Sequence, residues 1–144
     1  MNLTGHWTGK YTYGREYQHQ YGKSEPFEFE IVDNSGHISG SCIDSLVRAK
    51  ADNESYILGN FSGKEITFKK RYKYHFYIDE TGNLVLDDAF TSDGIDYVGK
   101  LKKRFFSRKH FFSGKWSITT KFKDESGVDQ LYISTGTWKM VKSD

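Results

Sequence analysis

Hydrophobic and polar residues alternate along most of this chain, in short segments separated by Gly, Asn and Asp. Between His6 and Gly14, aromatic or small residues at odd positions alternate with polar residues at even positions. Phe27, Phe29 and Ile31 alternate with glutamates in the same way. A period of two residues predicts strands with one buried face. The predicted strands are 6–14, 27–31, 38–43, 56–61, 66–72, 95–101, 111–122 and 131–141. Residues 74–78 could continue the strand 66–72 after a bend, a turn is predicted at 79–83, and residues 84–86 are a short strand or a connection.

The connections between these segments are mostly short and rich in turn residues, which predicts that consecutive strands pair with each other. Residues 45–53 hold the only plausible helical turn; it is too short to be stable alone, so we interpret it as a loop. Residues 15–21 are predicted to form a polar loop over one mouth of the fold. The 144 residues are expected to form one domain, residues 1–144.

A glycine precedes each of the three tryptophans by two positions, and this repeat favours a barrel over a flat sandwich. The pairs are Gly5 and Trp7, Gly114 and Trp116, and Gly136 and Trp138. A glycine inside a strand permits a sharp bend, and closing a small barrel requires bends in successive strands. We expect the ring two residues later to fill the interior space that the glycine leaves. The predicted fold is all-β, a closed antiparallel up-and-down meander barrel of about eight or nine strands with little or no helix.

The Gly-x-Trp of the first strand and that of the last strand, at the two ends of a meander, resemble the calycin barrels: avidins, lipocalins and fatty-acid-binding proteins. The position of Trp7 near the N-terminus is more similar to the avidins. Segments 66–72, 97–99 and 113–116 are similar to small barrels of this type. The resemblance implies binding of a small molecule inside the barrel. Thr8, Gly9 and Lys10 stand where avidins have the Asn and Gly-Ser that hold biotin, and no histidine follows His110, so neither biotin nor haem is expected.

Nine ring-bearing residues have the phase to line the barrel interior and bind a small apolar or aromatic ligand. They are Trp7, Tyr11, Tyr13, Phe29, Phe68, Tyr72, Tyr97, Trp116 and Trp138. A barrel of this size either fills its interior with side chains or holds one small ligand, and the sequence leaves both outcomes open. The tryptophans would form walls, whereas Tyr11, Tyr13 and Tyr97 would supply hydrogen bonds, because a buried phenol needs a partner.

Lys70 shares the phase of Phe68 and Tyr72, so an inward-pointing Lys70 would select a carboxylate ligand. The interpretation favoured by the sequence is a lysine at a strand end whose ammonium reaches water. Adjacent phenylalanines at 105–106 and 111–112 must point to opposite faces of their strand. The outward rings are candidates for a homo-oligomer contact.

Charged residues are clustered, although 21 Lys and Arg nearly balance 19 Asp and Glu. Segments 64–75 and 100–112 are basic and rich in aromatic residues, whereas residues 79–96 are acidic. The basic segments suggest an alternative function, an interaction module for acidic partners or nucleic acid. The favoured interpretation is that acidic and basic strands neutralise one another across the sheet, and nucleic acid is not an expected partner.

The sequence contains no recognisable catalytic or metal-binding pattern. Its five histidines lack paired ligand spacing, and no nucleophile motif or phosphate-binding glycine loop is found. We therefore expect no enzymatic activity, no cofactor and no metal. Cys42 is expected to be a small buried residue. The sequence lacks a long apolar run and a signal-peptide pattern, and it has a single cysteine, so we predict a cytoplasmic protein that does not enter membranes.

Overall fold

Strands make up most of the structure, a computed structural model that describes residues 1–48, 50–78, 81, 84–87, 94–104 and 109–143. The strands are β1 (Gly5–Tyr13), β2 (Ser24–Asn34), β3 (His37–Asp44), β4 (Ser55–Ser62), β5 (Glu65–Tyr72), β6 (His75–Ile78), β7 (Leu84–Asp87), β8 (Ile95–Lys103), β9 (His110–Lys123) and β10 (Asp129–Lys142). A 3-10 helix spans Arg15–Gln20, and the single-turn helix α1 spans Ser45–Arg48.

Eight of the strands close into one antiparallel barrel. Their order around the barrel is β1, β2, β3, β4, β5, β8, β9 and β10, and β10 returns to pair with β1. This last pairing runs from Trp7 opposite Lys142 to Tyr13 opposite Gly136. Strands β6 and β7 form a separate two-stranded sheet within the connection from β5 to β8. The predicted closed up-and-down meander is therefore confirmed.

Strand β2 shows how the sequence pattern builds the barrel wall. Phe27, Phe29 and Ile31 are buried in the core, whereas Glu28 and Glu30 between them are exposed. Burial of each such apolar side chain stabilises the fold by about 1.5–3 kcal/mol, which is why the apolar face turns inward. Inward-facing residues of this kind, contributed by all the barrel strands, form one continuous core.

Gly99 and Gly136, which face inward, lie against rings that come from other strands. A Cβ atom added to Gly136 would lie 2.3 Å from Cε2 of Trp116, which is directly opposite on β9. A Cβ atom added to Gly99 would lie 2.4 Å from Cζ2 of Trp138. The expectation that each glycine makes room for the ring two residues later in its own strand is therefore wrong at Gly136, because the register places a cross-strand ring there.

The connections differ between the two ends of the barrel, because neighbouring antiparallel strands are joined at alternate ends. The upper end, as we call it, carries connections 14–23, 45–54, 73–94 and 124–128, which include the three longest of the barrel. The lower end carries connections 35–36, 63–64 and 104–109 together with both termini. There the backbone amide of Ser143 donates a hydrogen bond of 2.8 Å to the carbonyl of His6. The connections that are long enough to cover the barrel interior are thus at the upper end.

Three predicted connections differ from the observed ones. Within 45–53, the chain forms helix α1, because the Asp44 carboxylate accepts hydrogen bonds from the backbone amides of Leu46 and Val47 at 3.0 and 3.1 Å. The loop predicted at 15–21 contains the 3-10 helix. Strand β6 pairs with β7 and does not continue β5 in the barrel. Most of the predicted turn 79–83 lies outside the described residues.

Candidate functional site

The centre of the barrel is filled by rings that the sequence predicted to line a ligand site. Phe68 stacks on Tyr97 with ring centroids 4.7 Å apart. The same phenyl ring meets Phe29 and Trp138 at steep angles, with centroids 5.6 Å away in each case. Distances of this size are normal for aromatic pairs inside a core. These four residues therefore pack against one another.

A second aromatic cluster lies at the upper end of the barrel and includes a residue from the 3-10 helix. Trp116 meets Tyr11 and Tyr13 edge-on, with centroids 6.5 and 6.2 Å away. Tyr17 lies 5.8 Å from Trp116 and 4.9 Å from Tyr13. The Tyr17 hydroxyl donates a 3.1 Å hydrogen bond to Oγ of Ser134, which ties the helix to β10. The first connection thus covers Trp116 with an aromatic side chain.

Beside these rings lies a buried ionic group. The Lys70 ammonium and the Tyr72 hydroxyl both donate hydrogen bonds to Oδ2 of Asp44, and the side chains of Lys70 and Asp44 are completely inaccessible to solvent. The Lys70 Nζ also lies 5.3 Å from the ring centroid of Tyr11 and 4.8 Å from that of Tyr72. The favoured interpretation of Lys70 as a solvent-reaching lysine is therefore wrong, because Asp44 supplies a partner that makes its burial tolerable.

The pair is ionised and the phenols around it are neutral. Burial opposes the charge on Asp44, but the ammonium of Lys70 and the hydrogen bonds from Lys70 and Tyr72 lower the pKa of its carboxyl below the ordinary value. Burial likewise opposes the charge on Lys70, yet its acidic neighbours raise the pKa of its ammonium. Burial raises the pKa of the Tyr11 and Tyr97 hydroxyls well above the ordinary value for a phenol. The site consequently carries one positive and one negative charge that compensate each other.

Two hydrogen-bond donors of the upper cluster, the Tyr11 hydroxyl and Nε1 of Trp116, are buried and make no hydrogen bond of good geometry with the described residues, although the side chains of Ser45 and Tyr13 lie close enough to affect the pKa of Tyr11. Trp116 is 3 % exposed and Tyr11 is 6 % exposed. The other two tryptophans bond within the chain. Trp7 donates to the carbonyl of Leu3 at 2.8 Å, and Trp138 donates to the carbonyl of Val98 at 3.2 Å. An acceptor that reached the upper end of the barrel would bind to these two donors, since buried polar groups are nearly always hydrogen-bonded.

All nine predicted site residues point into the barrel, where eight are buried and Tyr13 is half-buried. Seven of them belong to the packed central rings or to the upper cluster, whereas Trp7 packs on Phe112 with ring centroids 5.5 Å apart and Tyr72 donates to Asp44. The role of all nine in ligand binding stays a prediction. Two members of the upper site were missed. Asp44 shares the period of Ile38 and Cys42, a signal hidden because the predicted strand ended at residue 43. Tyr17 gave no signal, because a short 3-10 helix has no hydrophobic period.

The predicted basic segments do not form one surface. In the segment 64–75, Lys70 is inside the barrel, Lys69 lies 3.7 Å from Asp96, and Lys73 lies 3.6 Å from Asp52. In the segment 100–112, Lys100 lies 3.8 Å from Glu65, and residues 105–108 are outside the described part. Neutralisation between neighbouring strands is confirmed for Lys69 and Lys100. The pair at 111–112 points to opposite faces as predicted, with Phe112 fully buried.

Other chemistry is sparse in the part of the chain that the structure describes. No group of three His, Cys, Asp or Glu side chains there is arranged to hold a metal ion. None of the helices in that part has the length and apolar character needed to cross a bilayer. Burial raises the pKa of the Cys42 thiol to about 11, so this cysteine is a poor nucleophile.

Comparison of the chain with protein-family models, with curated proteins and with solved structures finds no match in any of the three.

Proposed function

We propose that this protein is a calycin-like barrel that binds one small, uncharged aromatic molecule at its upper end, without catalysis. The observation that carries the proposal is a pair of donors, the Tyr11 hydroxyl and Trp116 Nε1, which are buried among rings and make no hydrogen bond of good geometry with the described residues. A bound molecule with a hydrogen-bond acceptor, such as a carbonyl or ether oxygen, would satisfy one or both of them. Its apolar body would be held by the surrounding rings.

The charge of the ligand follows from the buried ion pair. An isolated Lys70 would attract a carboxylate, but Asp44 already accepts a hydrogen bond from its ammonium. A second buried anion would find no unpaired cation at this site and would lose its own hydration. Neutral phenol and indole donors instead favour a neutral acceptor. For this reason we propose an uncharged ligand. Lys70 would then not select a carboxylate, because its ammonium is already paired with Asp44.

The route into the site follows from the packing of the first connection. Tyr13 and Tyr17 are half-buried and lie between Trp116 and solvent, so a ligand would enter by displacing Tyr17. Within the 3-10 helix, Gln18 has a φ of 38°, a left-handed conformation that is uncommon for a residue other than glycine. Strained backbone of this kind is concentrated at binding sites and switch regions. We therefore place the entrance at connection 14–23.

Exposed apolar residues on the outer face of the barrel could form the contact of the predicted homo-oligomer. Tyr56 is 51 % exposed and Leu58 is 67 % exposed on the outer face of β4. Strand β4 is already paired with β3 on one edge and with β5 on the other. A contact with a second copy would therefore have to use side chains and not backbone hydrogen bonds. Homo-oligomer formation stays a proposal that sedimentation of the purified chain would test.

Three naphthalene compounds of similar size test the proposed ligand class. Methyl naphthoate is neutral and has an acceptor, the naphthoate anion is charged, and ethylnaphthalene has no acceptor. We expect isothermal titration calorimetry to show the methyl ester binding about fivefold more tightly than ethylnaphthalene, since one well-placed hydrogen bond contributes about 1 kcal/mol. The naphthoate anion should bind more weakly still, because burying its charge costs more. Native mass spectrometry of the protein as purified would detect a retained ligand directly.

The results separate the general proposal from its chemical detail. If none of the three compounds binds and no molecule co-purifies, binding at the upper end is wrong. Equal binding of the ester and ethylnaphthalene would remove the role of the two donors. Tightest binding of naphthoate would show that Lys70 is available to an anion and that the ligand is a carboxylate.

A further inference from the structure

The outer face of β1, β8, β9 and β10 carries a shallow groove of about 560 Å³ that is separate from the barrel interior. Four lysines line it, and we call them the basic face: Lys10, Lys102, Lys115 and Lys139. The side chains between them are mainly serine and threonine, and no carboxylate lines the groove. A second groove on the same side shares two of these lysines and adds Arg104 together with one carboxylate, that of Glu28. The positive charge is therefore grouped on one side of a chain whose net charge is only +2.

None of the four ammonium groups forms a salt bridge with a carboxylate of the described residues. Lys69 and Lys100, on neighbouring strands, lie 3.7 Å from Asp96 and 3.8 Å from Glu65. By contrast, the ammonium of Lys139 lies over an aromatic ring, 4.5 Å from the centroid of Phe111. Lys69 and Lys100 thus have carboxylate partners, whereas the four lysines of the basic face have none among the described residues.

Two of the lysines are placed against each other. Lys10 on β1 is directly opposite Lys139 on β10. Like charges at such a position destabilise a sheet, since the side chains are neighbours on the same face. On the next strand, Ser113 is opposite Lys139, and Lys115 is opposite Thr137. An anion lying across these strands would relieve the repulsion and would meet both ammonium and hydroxyl groups.

The chemistry of the groove matches a phosphodiester backbone. Lysine, serine and threonine side chains are among the usual donors to phosphate oxygens in nucleic-acid complexes. The ring of Phe111 has Lys139 over it and Arg104 at 5.9 Å, so it is not free to stack on a base. Trp138, the large apolar residue that lines the groove, is 2 % exposed, so the groove offers no large apolar side chain with which to enter a bilayer. We propose that the basic face binds the phosphate backbone of nucleic acid, without recognition of base sequence.

Fluorescence anisotropy with a labelled mixed-sequence DNA oligonucleotide, single-stranded and as a duplex, tests the proposal on the full chain. Binding of the single strand should weaken by about 50-fold between about 50 and 200 mM salt, as expected when four lysines displace counterions. The double variant Lys10→Glu with Lys139→Glu should lose binding at all salt concentrations. The matched control is Lys64→Glu with Arg71→Glu, two exposed residues outside the basic face with the same change in net charge. This control should keep the wild-type affinity within about threefold, apart from long-range charge effects.

Circular dichroism and the melting temperature of both variants establish that the barrel is intact. Absence of binding at low salt overturns the proposal, and so does an equal loss of binding in the two variants. Tighter binding to vesicles containing phosphatidylserine, or to polyglutamate, would assign the basic face to a membrane surface or an acidic protein and would also overturn it.

Discussion

Lys70 and Asp44 form an ion pair inside the barrel, and solvent reaches neither side chain. They are 26 residues apart in the sequence and lie on β5 and β3, on either side of β4. Asp44 uses its second oxygen to cap helix α1, so one carboxylate joins a buried charge to a connection at the upper end. The pair is consequently both a structural element and the feature that leaves the proposed ligand site without net charge.

Removing one charge of this pair should lower the free energy of unfolding more than removing both charges. Lys70→Met leaves the Asp44 carboxylate buried and unpaired, and we expect a loss of about 3–5 kcal/mol in the free energy of unfolding. The double variant Lys70→Met with Asp44→Asn keeps the oxygen that caps α1 and should recover most of this loss. Urea unfolding of the three proteins measures both values. A double variant as unstable as the single one would mean that the lost energy is not that of an unpaired charge.

Two tyrosine substitutions should have opposite effects on stability. Tyr11→Phe removes a buried hydroxyl that makes no hydrogen bond of good geometry in the described chain, so the ligand-free protein should be as stable as wild type or more stable, by about 1 kcal/mol. Its affinity for methyl naphthoate should fall by about five- to tenfold. Tyr72→Phe removes a donor to Asp44 and should destabilise the protein by about 1–3 kcal/mol.

Thermal melting and calorimetry of the two variants provide the measurement. If Tyr11→Phe destabilises the ligand-free protein as much as Tyr72→Phe does, the Tyr11 hydroxyl already has a partner, and the main support for the ligand site disappears.

The stability of the barrel should fall at both extremes of pH. Asp44 has a lowered pKa in the folded state, so its contribution is present above its unfolded value of about 3.9 and is lost as the pH falls below that. Tyr11, Tyr72 and Tyr97 have raised pKa values, so their contribution is present below the unfolded value of about 10 and is lost as the pH rises. Urea midpoints measured across the pH range should show this pattern.

Ultraviolet absorbance of tyrosinate supplies a control for the alkaline limb. The buried phenols of Tyr11, Tyr72 and Tyr97, whose pKa values burial raises, should ionise only as the protein unfolds. A single titration of all tyrosines near pH 10, with the barrel still folded, would contradict the burial of these side chains.

Gly99 should be intolerant of even one additional methyl group. Gly99→Ala would place a Cβ atom 2.4 Å from Trp138, so the indole must move, and we expect a loss of about 1–3 kcal/mol. The exposed neighbour Val98 provides a matched control, because Val98→Thr changes the same strand on its outer face. Its effect should stay within about 0.5 kcal/mol. Equal effects of the two substitutions would show that the Trp138 ring does not occupy the space at Gly99.

Much of the barrel could be predicted because its causes are local. A period of two residues identified the walls, as in β2, and glycines next to bulky rings indicated closure. The predicted positions of strand ends were less accurate where residues on both faces of a strand are exposed. In β10, Leu131 is 65 % exposed and Ile133 is 53 % exposed, so the hydrophobic pattern there carried no information about where the strand begins. The predicted start at residue 131 compares with Asp129 in the structure.

The site was harder to predict because its groups meet through the closure of the barrel. The phase of Lys70 placed its side chain correctly, but whether a cation is buried depends on its partner. That partner is on a strand two places away. Likewise, the opposition of Lys10 and Lys139 follows from the pairing of the first strand with the last, which no local sequence pattern contains.

The three longest connections of the barrel lie at the same end, and this arrangement has a consequence for engineering the molecule. Closure depends on strand pairing and on the lower end, so segments 14–23 and 45–54 can be exchanged while the wall of the barrel is kept. Libraries randomised at these two segments would alter what enters the barrel without redesigning its core. The same skeleton would then serve as a host for selected receptors of different small molecules.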